Sequence, residues 1–178
     1  MDIGVISVRY ARALLKSALD IKLEDQVYQE MQTLAQSYLD VPELRFTIDN
    51  PMLLKSKKEQ ILCAAMGASP SELSKKFVAL VLREDRESIL QFMAASYITL
   101  YRKQKNIIRG KLTTATAVSA STEEKMRQMV EKKTQGAVEF TTEVNPDIIG
   151  GFILEYDTYR MDASVKSKLN AILAQLKK

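Results

Sequence analysis

The residues that could carry catalysis are few. Histidine is absent and cysteine occurs once, at Cys63. The common serine and cysteine triads and histidine metal sites are thereby excluded, as are an internal disulfide and a cysteine-based zinc site. Cys63 lies in Ile61-Leu62-Cys63-Ala64-Ala65, which predicts a buried, inert thiol. The acid pairs Glu84-Asp85 and Glu123-Glu124 fall at helix ends, where carboxylates are solvated or favoured by the helix dipole. Asp157 and Asp162 flank a turn. None of these acids has a histidine, a metal set or an activated nucleophile beside it. An enzyme with an acid site therefore ranks last among the function classes, and would need two carboxylates within hydrogen-bond reach of a pocket.

Six glycines occur in the chain and two are adjacent, Gly150-Gly151. A glycine pair can cradle a phosphate, but the P-loop and dinucleotide patterns are missing. The pair runs into Phe152-Ile153-Leu154, so no helix N-terminus backs it. Glycine inside a strand more often marks a bulge or a close backbone approach, and that is the expectation.

The chain has 178 residues, 46% of them apolar and 27% charged, an ordinary soluble composition for one medium or two small domains. Its longest apolar run, Phe77 to Leu82, is too short to span a bilayer, and the start lacks the order of a secretory signal, which points to a reducing compartment. A net charge of +4 suits an anionic partner. Acids and bases are interspersed, however, and the densest basic stretch, Lys55 to Lys58, has no aromatic beside it. A basic helical RNA-binding protein is thus the alternative, weakly motivated.

The elements that must position any site change near Asn106. Before it, helices are expected over residues 3–23, 25–40, 43–48 and 55–66. A fifth opens at Ser69-Pro70-Ser71-Glu72 through a Ser69 capping box, and a sixth spans 86–105. In the first helix Arg9, Arg12, Lys16 and Asp20 form one narrow polar stripe. Its apolar surface is wider than a lone surface helix needs, so the helix is central or shared with a partner. The run Phe77 to Leu82 is apolar all round, with the same implication. Val27, Met31, Leu34 and Tyr38, and Leu90, Met93, Tyr97 and Tyr101, mark core faces. Met31, Met66, Met93, Met126, Met129 and Met161 read as core filler.

After Asn106 the order is strand (106–118), helix opened by Ser121-Thr122-Glu123-Glu124 and closed at Gly136, strand (Val138, Phe140, Thr142, Val144), strand (148–156, interrupted by the glycine pair) and helix. Asp162 or Ser164 caps that last helix, which carries Val165, Leu169, Ile172, Leu173 and Leu176 on one face. The fold class is mainly α with a small α/β part: a six-helix bundle over 1–105 and a small mixed α/β domain over 106–178.

These residues carry a likeness. Arg9-Tyr10-Ala11-Arg12-Ala13-Leu14, Asn50-Pro51 with Lys58, and Phe77-x-x-Leu80 with Arg86-x-x-x-Leu90 appear in the first half. Thr114-Ala115, Pro146-x-Ile148-Ile149-Gly150-Gly151-Phe152 and Asp162-Ala163-Ser164-Val165-x-x-x-Leu169 follow. In order and spacing the whole chain resembles the delta subunit family of F-type ATP synthases, the bacterial counterpart of the mitochondrial oligomycin-sensitivity-conferring protein. Ala163 stands where glycine is commonest, a mild departure.

The resemblance implies a non-catalytic stator subunit without cofactor. It would link the catalytic headpiece to the membrane-anchored peripheral stalk, so that proton flow is coupled to ATP synthesis. One copy would sit on each complex at the cytoplasmic face of the cell membrane, with no nucleic acid bound and the membrane reached only through partners. The N-terminal domain would hold the N-terminal helix of an alpha subunit, and family likeness with helical phase selects Tyr10, Ala13, Leu14, Ser17, Phe77, Leu80 and Val81 as the groove. The C-terminal domain would meet the b subunits, with Leu169, Ile172, Leu173 and Leu176 as contacts. The glycine pair would let a strand pack tightly under a helix.

Overall fold

The computed structural model describes residues 3–134, 136–156 and 158–176, the side chains of 132–134 and 140 excepted. The chain is mainly helical with a small mixed sheet, and it divides into two compact units, Met1–Lys103 and Gln104–Lys178.

The helices of the first unit are α1 (Ile3–Asp20), α2 (Glu24–Asp40), α3 (Glu43–Asp49), α4 (Lys55–Ala65), α5 (Glu72–Arg83) and α6 (Leu90–Lys105). A 3-10 turn, Glu87–Ile89, leads into α6. Helical periodicity selects the core. Val27, Met31, Leu34 and Tyr38 of α2 face Leu90, Met93, Tyr97 and Tyr101 of α6, and all eight are buried. Tyr28 and Tyr101 stack at 4.1 Å, while the Tyr97 hydroxyl donates to Glu24 O and the Tyr101 hydroxyl to Asp25 Oδ1. Buried phenols thus keep hydrogen-bond partners, and burial pushes the pKa of both well above the ordinary tyrosine range.

The cap of α5 differs from expectation. Ser71, not Ser69, is the N-cap: it is extended (φ −60°, ψ 152°) and its Oγ accepts from Ser74 N. The reason is tertiary. The Glu30 carboxylate of α2 accepts from Ser71 N at 2.6 Å and from Ser71 Oγ at 2.8 Å. Its hold on Ser71 places the helix start two residues later.

The second unit contains β1 (Ile107–Thr114), α7 (Ala120–Thr134), β2 (Ala137–Val144), β3 (Phe152–Tyr156), β4 (Tyr159–Asp162) and α8 (Val165–Leu176). The sheet order is β2-β1-β3-β4, with β1 parallel to β2 and antiparallel to β3. Leu112, Val138, Leu154 and Tyr156 form its inner face, covered by Val130 of α7. Ser119, not Ser121, caps α7 by accepting from Thr122 N. Met126 packs against the core, but Met129 and Met161 are exposed rather than core-filling, unlike Met31, Met66 and Met93. Asp157 and the side chain of Phe140, both named above, lie outside the described residues.

The expected strand over 148–156 is interrupted. Pro146–Ile148 is a 3-10 turn and Ile149 adopts φ 70°, ψ −42°. Gly150 N donates to Ile148 O, closing a tight γ-turn. Gly151 follows at φ 76°. β4 was not expected: Tyr159, Arg160, Met161 and Asp162 alternate apolar and polar, but over only four residues, all of them exposed.

Candidate functional site

Two surfaces collect the residues singled out above. The first is a groove of ≈ 400 Å³ between α1 and α5, lined by Tyr10, Ala13, Leu14 and Ser17 from one helix and Leu73, Phe77 and Leu80 from the other. Arg9, Lys76 and Glu84 add charge to its lining. Positions 10, 13, 14 and 17 lie at i, i+3, i+4 and i+7, and positions 73, 77, 80 and 84 continue one face of α5 in the same way. The small side chains of Ala13 and Ser17 leave the channel open, and Leu80 is 37% exposed within it.

The walls are braced. The rings of Tyr10 and Phe77 meet edge to face, centroids 6.5 Å apart. Arg86 donates to the Tyr10 hydroxyl at 2.8 Å and sits 5.4 Å from the same ring centroid. At the start of α5, Glu30 also accepts from Ser74 Oγ and from Gln26 Nε2.

Six of the seven residues selected from sequence line this groove. Val81 does not: it is fully buried behind the α5 wall. Arg9, Leu73, Lys76 and Glu84 were missed; extending the α5 wall by one turn either way reaches Leu73 and Glu84, whereas Arg9 and Lys76 are charged neighbours of Tyr10 and Phe77 that an apolar phase does not select.

The second surface is α8. It has no buried residue; Val165, Leu169, Ile172, Leu173 and Leu176 are 38%, 47%, 53%, 53% and 78% exposed. An apolar stripe open to water on an amphipathic helix marks a contact for another chain. The glycine pair fixes the start of this helix. Gly150 O accepts from Val165 N, Phe152 O accepts from Ala163 N, and a Cβ on Gly151 would overlap the Ala163 carbonyl oxygen. Ser164 Oγ caps Ser167 N. Asp162 accepts from Ser164 N and from Ser167 Oγ, and these bonds hold its carboxyl down at about 2. The Gly150 carbonyl and the strand beyond it are thus committed to the fold, as a close backbone approach requires.

The remaining candidates are structural. Lys55 pairs with Asp85 at 2.6 Å and Lys58 with Glu87 at 2.7 Å, the latter pair largely buried, so the basic stretch is partly spent inside the fold. Cys63 is only half-buried, against the expectation of burial, and desolvation raises its thiol. Among the described residues no three acids or cysteines come together to hold a metal, and no helix is long and apolar enough to cross a membrane.

Known proteins share this pattern. The family described as ATP synthase delta (OSCP) subunit matches residues 6–176. The chain is 50% identical over 176 residues to ATP synthase subunit delta of Phocaeicola vulgatus, covering 98% of this chain and 95% of that one. It is 42% identical over 172 residues to the subunit of the same name from Parabacteroides distasonis, covering 97% and 96%. A chain in the cryo-EM structure of the Toxoplasma gondii mitochondrial ATP synthase hexamer superposes with a TM-score of 0.66 at 19% identity, 97% of each chain being covered, which establishes a shared fold.

Proposed function

The chain belongs to the ATP synthase delta (OSCP) subunit family, and from that premise we propose that its α1–α5 groove receives the N-terminal helix of an alpha subunit. Membership makes the protein a non-catalytic, structural subunit of the synthase, part of the stator that couples proton flow to ATP synthesis. The observation that supports the groove reading is the open, mostly apolar channel between two helices, the kind of surface into which an amphipathic helix lays its apolar face. In this reading the first unit is a six-helix bundle gripping the headpiece. The stripe Leu169, Ile172, Leu173 and Leu176 on α8 meets the b subunits of the peripheral stalk. One copy serves each complex, at the cytoplasmic face of the cell membrane, which it reaches through its partners.

The test is a calorimetric titration of the full chain with a synthetic peptide of the matching alpha subunit N-terminus. One-to-one binding is expected. Ala13→Lys places a charge in the exposed channel, where Ala13 supports no core contact. It should weaken the peptide by several kcal/mol while leaving stability nearly unchanged. An unchanged affinity in Ala13→Lys would reject the groove.

A further inference from the structure

The groove has a structural problem of its own. Leu80 is 37% exposed and Leu73 half-buried in an apolar channel, and nothing in their chemistry favours that over burial. Hydrophobic contact is non-directional. A roll of α5 that turned Leu73 and Leu80 inward would shut the channel, and the buried side of the helix, Phe77, Val78, Val81 and Leu82, opposes it only through non-directional packing. Something directional must hold the helix in the open orientation.

Glu30 supplies it. The residue is only 6% exposed and belongs to α2, whose Val27, Met31 and Leu34 are fully buried in the core. It takes four donors: Ser71 N, Ser71 Oγ, Ser74 Oγ and Gln26 Nε2. Three of these come from the first turn of α5, and Leu73 lies between the two serines that give them. Hydrogen bonds are directional, so three of them converging from Ser71 and Ser74 on one buried side chain fix both the axial position and the rotation of α5. We propose that Glu30 is a positioning residue for the groove: by clamping Ser71 and Ser74 it keeps the channel open for its guest helix before the guest arrives. The free protein then holds its binding-competent form without drawing on binding energy, as pre-organisation requires.

This proposal rests on the groove reading and is tested beside it. The same alpha N-terminal peptide is titrated into the full-length wild type, Ala13→Lys, Glu30→Ala, Glu30→Gln and Ser74→Ala. Titrations are run at a temperature where circular dichroism shows every variant folded, so that a change in global stability alone leaves affinity untouched. Expected are a loss of about tenfold or more for Glu30→Ala, a smaller loss for Ser74→Ala, and partial rescue by Glu30→Gln, whose amide can still accept from Ser71 N. Neither Glu30 nor Ser74 lines the groove. If Glu30→Ala and Ser74→Ala bind as tightly as wild type, or differ from it only in melting temperature, Glu30 is an ordinary core brace and the inference fails alone. If the wild type itself binds no peptide, or Ala13→Lys binds unchanged, the groove reading fails and takes this inference with it.

Discussion

Arg86 and Tyr10 stand 76 positions apart, yet the guanidinium donates a 2.8 Å hydrogen bond to the phenol and lies 5.4 Å from the ring centre. One cation thus holds both the hydroxyl and the ring of a groove residue. The Tyr10 ring is presented edge to face to Phe77, and the two aromatics form one end of the channel as a unit.

Removing that cation should free the ring. Arg86→Met is expected to lower peptide affinity about fivefold, and Tyr10→Phe somewhat less, since the phenylalanine ring keeps its cation–π contact. A double-mutant cycle between them should show a coupling of about 1 kcal/mol, read by calorimetry. Strictly additive losses would mean that the contact contributes nothing to the groove.

Gly151, Gly150 and Gly67 should rank in substitution cost. Gly151→Ala meets both an unfavourable φ of 76° and the Ala163 carbonyl oxygen; backbone cannot yield cheaply, so a loss above about 3 kcal/mol is expected. Gly150→Ala brings its Cβ to 3.1 Å from Val165 Cγ2, a side chain that can shift, at about 1 kcal/mol. Gly67→Ala, at φ 123° with nothing within 4 Å, carries backbone strain alone, again about 1 kcal/mol. Urea unfolding of the three variants gives the order, and a Gly150→Ala loss exceeding that of Gly151→Ala would contradict the geometry.

Asp162 should impose an acid step on the second unit. Hydrogen bonds from Ser164, by side chain and backbone, and then from Ser167, depress its carboxyl from 3.8 to about 2. A depressed acid binds its proton more readily in the unfolded chain. Its contribution is therefore complete above pH about 4 and is lost as pH falls towards 2. Helical signal followed through acid titration should show that step in the wild type and a weaker one in Asp162→Asn. Identical acid profiles would remove Asp162 from the account.

The α8 stripe should matter to a partner and not to the fold. Leu173→Asp replaces a side chain that is 53% exposed, so its effect on stability should stay within about 0.5 kcal/mol. Binding to the soluble part of the b subunits should fall at least tenfold, as expected when a charge enters an apolar contact. Retained binding, measured by sedimentation or surface immobilisation, would move the stalk contact elsewhere.

Much of this was written in the order of residues. The i, i+3, i+4 and i+7 recurrence of Tyr10, Ala13, Leu14 and Ser17 announced one wall of the groove, and the buried faces of α2 and α6 were visible in the same way, because helix periodicity is local. The missing histidine, the lone cysteine and the glycine pair beside an apolar run excluded the usual catalytic sites and anticipated a backbone approach. Tertiary structure decided the rest. Glu30, 41 positions from Ser71, chose which serine caps α5. Pairing with β3 made β4 a strand although its four exposed residues are too short a run to mark one locally. The close passage of Ala163 fixed the interruption at the glycine pair as a turn over Ile149 to Gly151 and started β3 only at Phe152. Whether Val81 or Leu80 lined the channel depended on how α5 was rolled, and whether α8 was covered depended on what stood opposite it. Local hydrogen bonds and periodicity reach a few residues along the chain, whereas caps, strand pairings and exposed faces are settled by neighbours brought from far away in sequence.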